Sequence, residues 1–310
     1  MKKVLLGSIL FLAIAITSYS QNRFNMSQYM LHQAFVNPAA IANNNFMNGA
    51  IFHRSQWVGF DGAPTTTGLN FTLPGKSQKS FYGINIMNDK IGVNKAFELA
   101  GNYAYRVQVA ESKYLAFALA ANVNFVQSNF AAVNTDQPND PYFTGNTPTF
   151  VMPNFRFGTY HFSPKYYVGL AINNLLENKV EFQNAYKGQT QFNVSDFHYY
   201  IQGGYLFKIS EKFDIGASTM IKNVNNSPLQ VDLNAQAIYL KKYGFGFSYR
   251  SSKELVILAN AAITSKIRLG YAYDLGFSNL KNYNSGSHEI MLIFSMNEEK
   301  LNVRPFAPRF

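Results

Sequence analysis

The five histidines are the side chains that most readily serve acid–base catalysis or metal binding at neutral pH. They stand far apart, at His32, His53, His161, His198 and His288. No pair has the spacing of an HExxH motif, which would bring two ring nitrogens to one metal. Glu289 follows His288, but neighbours on a strand point to opposite faces and form no dyad. The histidines therefore predict no metal site.

Nucleophilic catalysis would need a nucleophile, a base and an orienting group held together. Serine, histidine and aspartate are all present, yet the chain has no Gly-x-Ser-x-Gly elbow and no phosphate-binding loop. It also has no cysteine, which excludes disulfides and thiolate metal sites. We therefore predict no catalytic residue, no cofactor and no enzyme activity.

The most distinctive segment runs from residue 53 to residue 67, HRSQWVGFDGAPTTT, and holds the only tryptophan. Two glycines and a proline within it predict a tight loop. One interpretation is that Trp57 and Phe60 are interfacial aromatics of a membrane barrel rim. The other is that the loop packs against a partner or folds over a lumen. The candidate partner-binding residues are Arg54, Gln56, Trp57, Phe60, Asp61 and Pro64.

The segments that hold this loop in place are long, and in them apolar residues alternate with small or polar residues. In 113–125, KYLAFALAANVNF, every second residue from Leu115 to Phe125 is apolar, and the residues between are small or polar. Strands send successive side chains to opposite faces, so one face of this strand is apolar. It exceeds the ~5–6 residues of a common strand and the ~9–11 residues that cross a bilayer at a tilt. From this strand alone, a transmembrane barrel and a large soluble β-sandwich are both possible.

A charged strand helps to separate these two fold classes. Segment 265–275 puts Lys266, Arg268 and Asp274 on one face, where a wet lumen would hydrate them, whereas a charge on the lipid face would cost ~2–4 kcal/mol at the midplane. Fourteen segments are predicted as strands. They are 47–56, 65–73, 80–88, 96–108, 113–126, 149–162, 165–173, 197–208, 212–222, 228–239, 243–250, 254–263, 265–275 and 287–297.

The connections between these strands also alternate in length. Those after even-numbered strands are short, at 74–79, 109–112, 163–164, 209–211, 240–242 and 264. Those after odd-numbered strands include the long connections 127–148, 174–196 and 276–286. Short periplasmic turns and longer outer loops are typical of a bacterial barrel. The predicted fold is therefore an all-β, antiparallel outer-membrane barrel of about fourteen strands, with both termini in the periplasm.

The chain divides into four predicted parts. Residues 1–20 have a basic start, an apolar run and small residues near Ser20, as in a secretory signal peptide. Residues 21–46 do not alternate and predict either a periplasmic arm or a plug inside the lumen. Residues 47–297 form the barrel, and residues 298–310 form a tail. After the signal peptide, no apolar run reaches the ~18 residues of a transmembrane helix.

Composition agrees with a surface in contact with outer-membrane lipid and lipopolysaccharide. Charged residues are 14% of the 310 residues, below the ~25% of a soluble protein. The net charge is +10, which can indicate nucleic-acid binding. The export signal and the absence of a Lys/Arg cluster argue against a nucleic-acid partner. We predict instead basic rims beside anionic lipid phosphates and scattered loop lysines.

Several motifs together resemble the PorP/SprF family of outer-membrane proteins in the type IX secretion system of Bacteroidetes. They are Gln28-Tyr29-Met30, Gln33, Asn37-Pro38-Ala39, Arg54 with Gln56 to Pro64, Asp232-Leu233-Asn234, Ser248-Tyr249-Arg250, Arg268 to Tyr271 with Tyr273-Asp274, and His288-Glu289-Ile290. The resemblance covers nearly the whole mature chain, and QWVGFDGAP is its most specific motif.

The resemblance implies a non-enzymatic protein that docks or anchors a secreted adhesin at the cell surface, often in gliding motility. Its implied partners are the C-terminal domain of the adhesin cargo and the periplasmic secretion or gliding machinery. A passive, porin-like diffusion channel is the alternative function, with a lumen lined by Asn, Lys and Arg.

Overall fold

The structure is a computed structural model that describes residues 25–133, 145–181, 187–225 and 227–296. The predicted signal peptide at 1–20 and the predicted tail at 298–310 lie outside the described residues, so both stay predictions. No helix within the described ranges is long and apolar enough to cross a membrane.

Fourteen of the strands in the described residues close into one antiparallel barrel. The last barrel strand pairs with the first, which closes the barrel wall. This arrangement confirms the predicted fold class and strand number. The strands are β1 Asn48–Ser55, β2 Thr65–Pro74, β3 Ser80–Ile91, β4 Asn94–Ala110, β5 Lys113–Ser128, β6 Phe150–Phe162, β7 Tyr166–Asn173, β8 Leu176–Glu181, β9 Lys187–Phe192, β10 His198–Lys208, β11 Phe213–Val224, β12 Gln230–Tyr239, β13 Tyr243–Arg250, β14 Glu254–Ala262, β15 Ile267–Gly276 and β16 Ser287–Ser295.

Strands β8 and β9 form a separate hairpin within segment 174–196, for which the sequence predicts only a loop. The hairpin lies against the outer edge of β6, where the Leu175 N–H donates to the Phe155 carbonyl at 3.2 Å and the Asn178 amide donates to the Pro153 carbonyl at 3.2 Å. Its sequences, LENKVE and KGQTQF, lack an apolar face. The fully apolar face that marks the barrel strands is therefore absent from both.

The barrel wall follows from the two-residue repeat of its strands. In β13, Tyr243, Phe245, Phe247 and Tyr249 are exposed on the outside, and the residues between them are buried on the inside. Arg250 at the end of this inner row is only 1% exposed. Outward apolar rows of this kind match the lipid-facing band of an outer-membrane barrel.

The two ends of the barrel differ in their connections. At one end, called the short-turn end, strands are joined by 75–79, 111–112, 163–165, 209–212, 240–242 and 263–266. At the opposite end, called the loop end, they are joined by 56–64, 92–93, 129–149, 174–197, 225–229, 251–253 and 277–286. All of the long connections are at the loop end.

Residues 25–46 lie inside the barrel and are called the plug. The plug contains two 3-10 helices, Gln33–Phe35 and Pro38–Asn43. The Asn37 side chain caps the second helix by accepting the Ala39 N–H at 2.9 Å, and Pro38 occupies the first helical position, where no N–H is needed. Apolar plug side chains and inward wall side chains form one buried core.

Candidate functional site

Seven charged side chains on the lumen wall, called the lumen ion cluster, surround the first residues of the plug. Seven neighbouring strands, β11 to β16 and β1, each contribute one of them, near the loop end of the strand. Six of the seven side chains are at most 4% exposed, and Glu254 is 19% exposed. The members are Arg54, Lys222, Asp232, Arg250, Glu254, Asp274 and Glu289.

Arg54 joins the two strands that close the barrel. Its Nη2 lies 2.7 Å from Asp274 Oδ2, and its Nη1 lies 3.4 Å from Glu289 Oε2. Arg54 and Glu289 also face each other directly in the register of β1 and β16. Charge-assisted hydrogen bonds of this kind are about twice as strong as neutral ones, and here they link β1, β15 and β16 across the closing seam.

Ser27 ties the plug to the same seam. Its Oγ accepts from Arg54 Nη1 at 2.8 Å and donates to Asp274 Oδ2 at 2.7 Å. The backbone N–H groups of Ser27 and Gln28 donate to the two carboxylate oxygens of Glu289 at 2.8 and 2.9 Å. The start of the plug therefore bridges β1, β15 and β16.

Arg250 organises the other half of the cluster. Its Nε lies 3.4 Å from Asp232 Oδ1, its Nη1 lies 3.5 Å from Asp274 Oδ2, and it also pairs with Glu254. Lys222 Nζ lies 3.9 Å from Asp232 Oδ2. Each buried charge thus has an opposite charge nearby, which is the condition under which buried charges are tolerated.

The plug runs from this cluster down to the short-turn end. Asn25, its first described residue, accepts from Lys222 Nζ at 3.4 Å near the loop end of β11. At the other end, Arg106 Nη1 donates to the Ala42 carbonyl at 2.8 Å, and its guanidinium lies 4.6 Å from the Phe81 ring centroid. The prediction of periplasmic termini concerns residues beyond the described ranges, and it stays a prediction.

Between these ends, polar side chains of the wall hold the plug backbone. Asn85 donates to the Ala34 carbonyl at 3.2 Å, and Asn173 donates to the Val36 carbonyl at 3.3 Å. In the other direction, Asn37 of the plug donates to the Thr159 carbonyl of the wall at 3.0 Å. A cavity between the plug and strands β1 and β16 has a volume of about 20 Å³, which is room for about one water molecule.

The candidate partner-binding residues divide into buried and exposed groups. Arg54 is 1% exposed and belongs to the lumen ion cluster. Pro64 is buried, and its carbonyl accepts the Gln56 N–H at 2.9 Å, which closes the loop at its base. Gln56 and Trp57 are half-buried, whereas Phe60 and Asp61 are exposed. The solvent-facing part of this loop is therefore its middle.

The 56–64 loop is fixed to its neighbours by backbone hydrogen bonds. The Val58 N–H donates to the Gly286 carbonyl at 2.8 Å, and the Ser285 N–H donates to the Val58 carbonyl at 2.7 Å. On its other side, the Gly62 carbonyl accepts the Gly92 N–H at 2.8 Å. Trp57 has a φ of 45°, in the left-handed region that non-glycine residues rarely adopt. These contacts give the loop a defined shape.

Sequence reasoning does not find the lumen ion cluster as a site. The sequence predicts that Asp274 faces a lumen and that Arg54 binds a partner protein. It does not predict that these two side chains form an ion pair. A weak signal is present, because several motifs of the resemblance carry polar residues that the structure brings to the contact between plug and wall. Gln28, Tyr29, Gln33, Asn37, Arg54, Asp232, Asn234, Arg250, Asp274 and Glu289 all lie at the contact between plug and wall.

Glu289 and His288 point to opposite sides of the wall, as strand alternation predicts. Glu289 is 0% exposed in the lumen, whereas the His288 ring shares a hydrogen bond of 2.7 Å with the Tyr271 hydroxyl on the outside. No group of three or more His, Cys, Asp or Glu side chains suited to a metal ion occurs in the described part of the chain.

Several solved outer-membrane proteins are similar in overall fold. The CymD monoaromatic hydrocarbon channel is 12% identical with a TM-score of 0.49, over 88% of this chain and 92% of that one. The Ralstonia pickettii toluene transporter TbuX is 9% identical with a TM-score of 0.48, over 89% and 95%. The Acinetobacter baumannii outer-membrane protein Omp33 is 10% identical with a TM-score of 0.45, over 82% and 100%.

A comparison with curated proteins found no match. The family profile described as type IX secretion system membrane protein PorP/SprF matches residues 18–294. That match includes the plug and the strands that carry the lumen ion cluster. The chain therefore belongs to the PorP/SprF family and is an outer-membrane component of the type IX secretion system.

Proposed function

We propose that this barrel docks the C-terminal domain of a cognate secreted adhesin and anchors it at the cell surface, in support of gliding motility. The observation that carries the proposal is the filled lumen. Residues 25–46 occupy the barrel interior and are bound to its wall from the loop end to the short-turn end. A barrel closed in this way is suited to holding a partner on its surface.

The filled lumen also argues against a passive diffusion channel. Such a channel needs a continuous aqueous path, as in porins. Here the plug would have to leave, which would separate the buried charges of Asp274 and Glu289 from the Ser27 and Gln28 donors. A channel function would therefore require a large rearrangement before any solute could pass.

The loop end offers a surface for the adhesin. The 56–64 loop and the 277–286 loop are joined by backbone hydrogen bonds and form one surface. Four apolar side chains in these two loops are exposed, namely Val58 at 38%, Phe60 at 46%, Phe277 at 57% and Tyr283 at 71%. Exposed aromatic side chains are frequent energetic centres of protein interfaces. This joined surface is the proposed adhesin contact.

The tail at 298–310 is the proposed contact with the periplasmic secretion or gliding machinery. The last described barrel strand, β16, ends at Ser295 at the short-turn end, so the tail begins on the side that is predicted to face the periplasm. Deleting the tail should leave the barrel folded and reduce co-purification of the periplasmic machinery. Unchanged co-purification would contradict this assignment.

Surface display of the adhesins tests the docking role. Deleting the gene should abolish display of one adhesin, and the wild-type gene should restore it. The double variant F60A/Y283A should fail to restore display, since both rings belong to the joined surface. The matched control is F192A, because Phe192 is 68% exposed at the same end but lies on the opposite side of the barrel. If every adhesin still reaches the surface in the deletion strain, the docking role is wrong.

Single-channel recording in planar bilayers tests the alternative. The purified wild-type barrel should give no steady conductance, because the plug fills its lumen. A stable open channel under the same conditions would favour the passive channel over the anchoring role.

A further inference from the structure

The turns at the short-turn end, with the residues that directly adjoin them, hold the largest group of exposed lysines in the described residues. Each of the six turns contains or directly adjoins at least one lysine, and all of these lysines are exposed. Only two acidic residues, Glu111 and Glu211, lie in the same turns. The nine lysines, called the lysine ring, are Lys76, Lys79, Lys113, Lys165, Lys208, Lys212, Lys241, Lys242 and Lys266.

The loop end is nearly balanced in charge by comparison. Four exposed lysines lie there in the described residues, at positions 90, 95, 253 and 281. Three aspartates, at positions 61, 89 and 196, lie at the same end, and the hairpin of β8 and β9 adds two lysines and two glutamates. The excess positive charge therefore belongs to one rim of the barrel rather than to the surface as a whole.

The lysine ring lies immediately beyond outward-facing aromatic residues. Lys212 precedes Phe213, which is 49% exposed, and Lys242 precedes Tyr243, which is 54% exposed. Aromatic girdles mark the boundary between hydrocarbon and headgroups in membrane barrels. Side chains one residue further out reach the level of the lipid phosphates, where lysines extend their charged ends.

No lysine of the ring forms an ion pair within the described residues, where the cations that do so include Arg54, Arg156, Lys222 and Arg250. The ring also continues around the circumference, because consecutive turns connect neighbouring strands throughout the barrel. A protein partner would contact one sector of the rim. A lipid leaflet surrounds the barrel and contacts every sector.

We propose that the lysine ring binds the anionic headgroups of phospholipids in the leaflet on the short-turn side. The ammonium group is a compact charge that binds phosphate without a fixed geometry, which suits exchangeable lipids. The ring thereby fixes the depth and the direction of the barrel in its membrane. This role is independent of the adhesin surface, which lies at the other end.

Lipid selectivity of the reconstituted full-length barrel tests the assignment. Spin-labelled phosphatidylglycerol and phosphatidylcholine would be compared in vesicles of phosphatidylcholine, and the preference of the lipid shell around the protein measured by electron spin resonance. The wild-type barrel should prefer phosphatidylglycerol by about fivefold, the ratio expected for one lysine acting near an anionic headgroup. At 1 M salt, where the screening length falls to ~3 Å, the preference should largely disappear.

Two variants with equal loss of charge separate the rims. K212Q/K241Q/K242Q/K266Q removes four lysines of the ring, and K90Q/K95Q/K253Q/K281Q removes four at the loop end. The first should lose a substantial part of the preference, because only five lysines of the ring remain. The second should keep the full preference, with both variants folded as judged by the gel shift of the unheated barrel. Equal preference in both variants would overturn the proposal. So would a ring variant that keeps its lipid preference but loses an acidic envelope protein that co-purifies with wild type.

Discussion

The two halves of the plug are held in the lumen by different chemistry. From residue 25 to residue 29, the plug contacts are mostly with charged side chains of the wall, with Glu289 alone accepting the Ser27 and Gln28 N–H groups. From residue 34 to residue 42, the side chains of the plug are mostly apolar, and its backbone carbonyls accept hydrogen bonds from Asn85, Asn173 and Arg106 of the wall. Phe35 meets Phe52 edge to face at 4.9 Å, and Ile41 is 1% exposed.

This difference indicates that the position of the plug and its stability depend on different parts of the same segment. Apolar burial is non-directional, so it stabilises the plug without fixing its depth. A buried charge network tolerates only one register, because a shifted plug would leave carboxylates without donors. We therefore expect the charged half to set the position of the plug and the apolar half to add stability.

Arg54→Ala should have the largest effect on the plug and the barrel. It removes the cation between two buried carboxylates, Asp274 and Glu289, and breaking a buried pair typically costs about 3–5 kcal/mol. Denaturant titration of the refolded barrel measures the loss, and planar-bilayer recording reports whether the plug now opens. Lys90→Ala, an exposed charge at the same end, is the control and should stay within about 0.5 kcal/mol of wild type.

Phe35→Ala should destabilise the barrel by about 3 kcal/mol, because it leaves a cavity beside Phe52 in the apolar half. The same denaturant titration measures this loss of stability, and the exposed Phe60→Ala variant is the control. In bilayers this variant should stay closed, since the lumen ion cluster still fixes the plug. Opening by Phe35→Ala and not by Arg54→Ala would reverse the proposed division of roles.

Gly158→Ala tests the close contact between plug and wall. A Cβ at this position would overlap Asn37 Oδ1 and lie 3.0 Å from Pro38 Cγ, so the plug must shift. Overpacking of this kind costs about 1–3 kcal/mol. Gly101→Ala is the matched control, because a Cβ there has no neighbour within 4 Å. Equal unfolding midpoints for the two variants would contradict the contact.

Asn37→Ala should have the smallest effect, about 1 kcal/mol. It removes the cap of the second 3-10 helix and the hydrogen bond to the Thr159 carbonyl. The barrel should remain closed and slightly less stable in the same titration. Asn88→Ala, an exposed amide on β3, should be neutral. A loss as large as that of Arg54→Ala would mean that this cap, rather than the ion cluster, positions the plug.

Much of the barrel could be predicted from the sequence because its strands obey a local rule. In β5, one apolar face and one small or polar face follow directly from residues 113–125, and all fourteen predicted barrel strands are present within a few residues of their predicted bounds. The sequence does not predict the hairpin of β8 and β9, because neither strand has a fully apolar face. The residues of 53–67 predict a loop. No pattern in them shows that Arg54 is buried and Phe60 is exposed.

The sequence by itself determined the alternation of the wall, the number of barrel strands and the family, since these depend on residues close together in the chain. Only the tertiary structure decided that residues 25–46 fill the lumen, that Ser27 meets Glu289 across 262 positions, and that nine lysines share one rim. Barrel closure brings the first and last strands together. Contacts made across that closure depend on the register of every strand between them, which no local pattern contains.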